Sequence, residues 1–305
     1  MDQVNDTHTL SPGKRKILFV INKKAGSGAE KNLKHLIAAQ AETSDFDFQI
    51  YTMSGNDEEL IRSAVKEYKP DIVAAAGGDG TVSLIAGILV NTKIALSIIP
   101  CGSANGMAKE LNIGTRIDTA LEMLMTGTQR SIDLLQINEK ICIHLADVGL
   151  NARIVKRFES DKKRGILTYA KHLFGEMFLL KHYHFNIIYD NISIRRKGVS
   201  ITFANASKYG TGAVINPHGI LDDGKFELVI VKPFPNIKLL SIAWKMFRNR
   251  LHTSDYVEII SCKKAIVSSS RRTTLQIDGE VIGKVKEINL KILPKALIVL
   301  TPPNV

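Results

Sequence analysis

Asp71-Ile-Val-Ala-Ala-Ala-Gly-Gly-Asp-Gly-Thr81 sets a carboxylate inside a glycine-rich turn directly after an apolar run. The run, residues 71–76, does not alternate, so it reads as a parallel strand covered on both faces. Residues 82–90 read as the helix that follows. Gly77, Gly78 and Gly80 let the backbone approach a ligand without Cβ interference. Free N–H groups and a helix N-terminus at such a turn suit a phosphate. Asp79, among phosphates, is suited to organise a Mg²⁺ ion or to take a proton from an attacking hydroxyl. Taken alone, the same stretch also reads as a tight strand-to-helix connection with a capping Asp.

Two further turns repeat the pattern. Asn22-Lys23-Lys24-Ala25-Gly26-Ser27-Gly28 follows an apolar strand at 16–21 and precedes a helix from Ala29. Pro100-Cys101-Gly102-Ser103-Ala104-Asn105-Gly106 follows a strand at 94–99 and precedes a helix through Leu111. Three Gly/Ser/Asn turns thus fall at the same end of three apolar strands, the end at which open α/β sheets bind ligands.

With Asp278-Gly279-Glu280, these motifs resemble the diacylglycerol kinase catalytic-domain family, which includes bacterial soluble lipid kinases and sphingosine kinases. NAD kinases and phosphofructokinases share the glycine–aspartate turn more distantly. The resemblance runs from about Lys14 to Pro302. It also takes in Ser131-Ile132-Asp133, the segment Ala146-Asp147-Val148-Gly149-Leu150-Asn151-Ala152, and Leu221-Asp222-Asp223-Gly224-Lys225-Phe226.

Composition agrees. A chain of 305 residues, 45% hydrophobic, suits two domains of a globular protein. No apolar run approaches the ~18 residues of a membrane span. Residues 1–13 are polar and lack a signal-peptide core, so a cytoplasmic location is expected. The three cysteines, Cys101, Cys142 and Cys262, lie far apart and read as reduced, mostly buried thiols, with Cys101 placed by a helix N-terminus where it could be reactive. The net charge of +11 suits nucleic acid, anionic membrane or phosphorylated ligands. No zinc-finger, RNP-like or KH-type pattern is present, so nucleic acid is not expected as a partner. Basic clusters such as Lys162-Lys163-Arg164 and Arg195-Arg196-Lys197 read as solvated surface or, together, as a means of holding the chain transiently on an anionic membrane. Pairing with a second copy is left open.

The pattern changes near residue 133. Before it, strands (16–21, 46–53, 71–76, 93–99) alternate with helices (29–41, 57–68, 82–90, 105–111, 117–126), as in a parallel sheet wound with helices. After it come short alternating strands at 132–137, 141–146, 185–189, 200–204, 225–231, 265–268, 275–277 and 288–292, which indicate an antiparallel sandwich. Helical insertions are expected at 154–182 and 236–250. The fold expected is therefore α/β plus β. A nucleotide-binding α/β domain (14–132) precedes a lipid-binding β-sandwich (133–294). The last strand, within 295–302, returns to the first domain, and the active site lies in the cleft between the domains.

By resemblance, ATP lies across the three turns. Asn22, Ala25, Gly26, Thr52, Gly77, Gly78, Asp79, Gly80, Thr81 and Ser103 are then its contacts, through amide and hydroxyl donors to phosphate oxygens. Thr52 also reads as an ordinary strand-end threonine. Two carboxylates compete as catalytic base. The bacterial branch of the family implies Glu280, the sphingosine-kinase branch Asp79. Glu280 is taken as base, Asp79 as essential to the Mg–ATP network and Asp278 as supporting or metal-linked. Asp-Gly is a hairpin signal, so taken alone residues 278–280 also read as a turn. Carried over from the bacterial lipid kinases, a separate Mg²⁺ is held by the Asp223 carboxylate with the carbonyls of Ile220 and Lys225, an all-oxygen set that suits Mg²⁺. A plain turn is the other reading there.

Departures from the family pattern are Ser83 and Leu84, where bacterial diacylglycerol kinases carry Asn-Glu, and Gly106, where they carry Asp. The Gly102-Ser103-Ala104-Asn105 form is closer to the sphingosine-kinase pattern. The acceptor site must take an apolar chain. The apolar stripes of the two insertions, Ile166 to Phe178 and Trp244 to Phe247, read as core-facing or as walls of a lipid pocket. The expected activity is ATP-dependent phosphoryl transfer to a hydroxyl of a diacylglycerol-like or sphingoid lipid. A soluble-acceptor kinase of the NAD-kinase type and a non-catalytic lipid- or nucleotide-binding regulator are the alternatives.

Overall fold

The computed structural model describes residues 14–23, 29–55, 57–149, 181–209 and 212–303. Ala25 and Gly26, the 150–152 part of one quoted segment and nearly all of the 154–182 insertion lie outside them. The chain divides into two compact units, one of residues up to Ile132 together with Lys295 onward, the other Asp133–Pro294. Among the described residues, no helix is long and apolar enough to cross a membrane.

The first unit is a parallel sheet wound with helices. Its elements are β1 (Lys16–Asn22), α1 (Ala29–Ser44), β2 (Asp47–Met53), α2 (Glu58–Tyr68), β3 (Ile72–Gly77), α3 (Asp79–Leu89), β4 (Ala95–Pro100), α4 (Gly106–Glu110) and α5 (Ile117–Thr126). β1 pairs in parallel with both β2 and β3, and β3 pairs with β4. Every residue of β3 and β4 is buried, the reason their sequences are apolar without alternation. The chain moves from β1 outward to β2 and then back across to β3, so the topological switch falls between β1 and β3. The end of β14 (Glu280–Thr301) joins this sheet, Ile298 and Val299 pairing in parallel with Ala95 and Leu96.

The second unit is antiparallel. Its remaining strands are β5 (Thr128–Ile137, begun in the first unit), β6 (Lys140–Cys142), β7 (Leu145–Gly149), β8 (Tyr183–Tyr189), β9 (Ile192–Gly198), β10 (Ser200–Ala204), β11 (Phe226–Val231), β12 (Val257–Cys262) and β13 (Lys264–Ile277). The order β12-β11-β10-β7-β13-β14 forms the main ladder. β13 also pairs through its first half with β8, which forms a hairpin with β9. Alternate residues Tyr183, Phe185 and Ile187 of β8 enter the core, where they meet Phe203 and Phe226. Helix α6 (Leu239–Phe247) links β11 to β12, flanked by 3₁₀ turns at Asn236–Lys238 and Leu251–Thr253.

The sequence pattern differs from this structure in several places. The strand expected at 141–146 is two strands broken at 143–144, where the chain turns to meet Asp278. The runs at 265–268 and 275–277 are one strand, β13, irregular between Ser268 and Thr273. Those at 288–292 and 297–300 are one strand, β14. β9 and β12 were not expected. β9 is an edge strand whose residues are mostly exposed, so it lacks a buried stripe to announce it. Its turn, Asp190-Asn191, has positive φ at both residues (41° and 74°), the two-residue hairpin geometry.

Candidate active site

Because β1, β3 and β4 run parallel, their C-terminal ends lie at the same edge of the first unit. The end of β1 is bonded to the turn after β3, and that turn to the one after β4. Asn22 Nδ2 donates to Thr81 Oγ1 at 3.0 Å, across the switch point. The Cys101 amide donates to the Gly77 carbonyl at 3.0 Å. Asp79 Oδ1 accepts the amide of Met107, the second residue of α4, at 3.2 Å. The helix predicted to begin at Val82 begins at Asp79, with Gly78 extended at its N-cap. Asp79 therefore lies in the first turn of α3, where the helix dipole favours a negative charge, while its side chain closes the start of α4.

Glycine is required here for closeness. A Cβ built on Gly102 would lie 2.5 Å from the Gly78 Cα, and one built on Gly77 would overlap the Thr81 side chain. Asn105, left-handed at φ 51°, clasps this turn. Its Oδ1 accepts from the Gly102 amide at 2.9 Å and its Nδ2 donates to the Gly102 carbonyl at 2.8 Å. Ser103 stands exposed at the tip. Thr52 is half-buried on β2, opposite Ile21. Beyond it, buried Asp57 accepts the amides of Ser54 and Gly55, and these bonds hold its carboxyl below the ordinary range. Cys101 is not activated, because burial pushes its thiol up.

In the second unit, Ile277 pairs with Glu280 across Asp278 (φ 49°) and Gly279 (φ 90°), a two-residue turn with both φ positive. The motif is thus a hairpin tip, and it is anchored from within. The Asp278 carboxylate accepts the amides of Ile143 (3.0 Å), His144 (3.0 Å) and Leu145 (3.2 Å) and the Cys142 thiol (3.1 Å). Burial, with Asp278 beside it, pushes the Cys142 thiol far up, so it stays a neutral donor. The Gly279 amide donates to Gln276 Oε1 at 2.8 Å, and Gln276 Nε2 donates to Asp147 Oδ2 at 2.5 Å. Asp147, fully buried, also accepts the Thr202 hydroxyl and, at 3.0 Å, the Tyr209 hydroxyl. Glu280, first residue of β14, is exposed. Asp278 is therefore a positioning group, and Glu280 is the carboxylate the hairpin presents. Gln276 carried no motif in the sequence, and Asp147 was visible only within a quoted segment with no role attached.

The loop before β11 hangs on another buried acid. Asp133 Oδ2 accepts the Gly224 amide and its own amide donates to the Leu221 carbonyl, each at 2.6 Å. Asp223 is exposed, and its Oδ1 accepts the Lys225 amide at 2.9 Å. Ile220 is also exposed. Among the described residues no three His, Cys, Asp or Glu side chains gather as a metal cluster. A single carboxylate with backbone carbonyls is the donor set offered by this loop.

Residues 16–137 match the family model described as diacylglycerol kinase catalytic domain, and residues 145–301 match the YegS C-terminal NAD kinase beta sandwich-like domain. A Klebsiella pneumoniae protein named "Probable lipid kinase YegS-like" is 26% identical over 94% of this chain and 96% of its own length. A Synechocystis protein of no stated function is 28% identical over 75% of this chain, which spans 54% of that protein. A crystal structure of a diacylglycerol kinase from Bacillus anthracis str. Sterne superposes with TM-score 0.74 at 16% identity, covering 95% of this chain and 97% of its own. The chain belongs to the diacylglycerol kinase catalytic-domain family, a family of lipid kinases, and carries the YegS-type β-sandwich-like domain after it.

Proposed function

We propose that the chain is an ATP-dependent lipid kinase that transfers the γ-phosphoryl group to a hydroxyl of a diacylglycerol-like or sphingoid lipid. The observation that carries this reading is the cross-bonding of the end of β1 with the turns after β3 and β4 in the first unit. Asn22 to Thr81, Asp79 to Met107 and Gly77 to Cys101 hold a set of amides and hydroxyls ready before any phosphate arrives. Preorganised donors of this kind stabilise phosphoryl charge without reorganising during the reaction.

In the reaction, the lipid hydroxyl oxygen bonds to the γ-phosphorus as the bond to the β,γ-bridging oxygen breaks and ADP leaves. The Glu280 carboxylate takes the hydroxyl proton. Its exposed place on an anchored hairpin suits a base that must meet an incoming substrate. Mg²⁺, when bound, neutralises phosphate charge. Asp79 is the residue suited to organise the ion with ATP. Asp223, with the carbonyls of Ile220 and Lys225, offers the oxygen donors a second Mg²⁺ prefers. Contact with an anionic membrane at a cytoplasmic face follows from a lipid acceptor and a net charge of +11.

The test is transfer of labelled γ-phosphate from ATP, with Mg²⁺, into mixed micelles of diacylglycerol, monoacylglycerol, phosphatidylglycerol, sphingosine or ceramide, with NAD as a soluble comparison. A labelled lipid that disappears in Asp79→Ala and Glu280→Ala supports the reading and names the acceptor class. Labelled NAD with no labelled lipid replaces it with a soluble-acceptor kinase. ATP binding without labelling of any acceptor replaces it with a non-catalytic regulator.

A further inference from the structure

We propose that helix α6, with the 3₁₀ turn before it, docks the protein on an anionic lipid bilayer. One face of α6 is committed to the protein. Ile242 is buried with Phe234 and Leu251, Met246 packs against the same cluster, and the Met246 carbonyl accepts the Val214 amide at 3.1 Å. The other face is apolar and open. Ile237 is 85% exposed, Trp244 53% and Phe247 58%. Trp244 and Phe247, three apart within α6, share one side of the helix, with Arg248 at its C-cap and Ile237 in the 3₁₀ turn before it.

The segment that carries this face has charge of one sign. Residues 232–254 contain five Lys and Arg and no Asp or Glu. Lys238, Arg248 and Arg250 are exposed, and the Arg248 guanidinium lies 5.6 Å from the Trp244 ring centre. Lys245 is turned back, its Nζ donating to the Thr253 carbonyl at 2.8 Å. Exposed aromatics rimmed by cations on a short amphipathic helix are the composition of an interfacial helix, with Trp at headgroup level. The charge also selects among occupants. Two copies meeting through this face would bring Lys238 and Arg248 against like charges, with no acid in the segment to pair them. An anionic bilayer supplies the opposite charge and an apolar layer for Ile237 and Phe247. The inference deepens the lipid-kinase reading, since a bilayer is where such an acceptor is presented, but its test does not depend on turnover.

Trp244 is the only tryptophan in the chain, so its emission reports this helix directly. The full chain is titrated with vesicles of phosphatidylcholine and of phosphatidylcholine mixed with phosphatidylglycerol, and association is measured in parallel by co-sedimentation. Expected are a blue shift on the mixed vesicles, quenching by brominated lipid and reversal by high salt. Lys238→Glu with Arg248→Glu weakens association about 30-fold or more. Ile237→Ser, outside α6 and solvent-facing, weakens it without touching the fold. Co-sedimentation with unchanged Trp emission would overturn the proposal in favour of another docking surface. A blue shift without vesicles that grows with protein concentration would overturn it in favour of a second copy. No association with either vesicle would also overturn it. Docking as expected, with no phosphorylated lipid, would support this surface and count against the kinase reading alone.

Discussion

The two units both present an acid at a glycine-containing turn, but they hold it in opposite ways. In the first, Asp79 is part of the clasp. Its carboxylate accepts the Met107 amide and so ties the turn after β3 to the start of α4. In the second, the clasping is delegated. Asp278 accepts three amides and a thiol, Gln276 relays Asp147 to Gly279, and Glu280 is left exposed and, among the described residues, with no hydrogen bond to its carboxylate. One Asp79 oxygen is engaged by that amide, whereas the Glu280 carboxylate stands exposed on an anchored tip. The proposal of Glu280 as base and Asp79 as organiser rests on that difference.

That contrast can be broken most directly by removing each charge. Glu280→Gln should lower kcat by about 10²–10⁴-fold with little change in ATP affinity. Asp79→Asn, whose carbonyl can still accept the Met107 amide, should weaken Mg–ATP binding along with turnover. If Glu280→Gln keeps most of its turnover while Asp79→Asn loses it, the roles are reversed.

Asp278→Ala should unfold more easily by about 3 kcal/mol in chemical denaturation, because the amides at 143–145 are left unpaired inside the unit. Asp278→Asn should recover part of that loss, since Asn tolerates the left-handed conformation and keeps one acceptor oxygen. Equal stability of Asp278→Ala and the parent would show that the hairpin is not anchored as described. Gly102→Ala should cost about 1–3 kcal/mol through overlap with Gly78. It should also weaken ATP binding about tenfold or more by spreading the turns. Normal nucleotide affinity in this variant would mean that the turns need not touch.

The smallest effect lies away from both turns. Arg196 donates to both Glu258 oxygens, from Nε at 3.0 Å and 2.9 Å, and holds that carboxyl below its ordinary range. A depressed carboxylate contributes stability above its unfolded-state pKa and loses it as pH falls through the folded value. Arg196→Ala should therefore cost about 0.5 kcal/mol at neutral pH, a figure reduced for solvent screening, and the difference from the parent should close in acid. A gap unchanged between neutral and acid pH would remove the ion pair as its cause.

The α/β half was largely legible because its signals are local. A short apolar run without alternation, closed by glycines, fits a covered strand, as at 72–77. In the second half, β9 escaped because its side chains face water. β13 and β14 were read as fragments because a bulged or half-exposed strand loses its period where the pattern is interrupted. The hairpin at 278–279 was legible from Asp-Gly alone. Its anchors were not, because Asp278 meets residues 142–145 and Gln276 meets Asp147, more than 120 positions away.

The amino-acid sequence by itself determined the family, the α/β-then-β order and the identities of Asp79, Asp223 and Glu280, because motif order and strand periodicity are written along the chain. Only the tertiary structure decided which backbone amides these acids accept and how exposed each one is. It also decided which face of α6 is buried and which leaves Trp244 in solvent. Those distinctions depend on hydrogen bonds and burial between segments distant in sequence, and no local pattern encodes them.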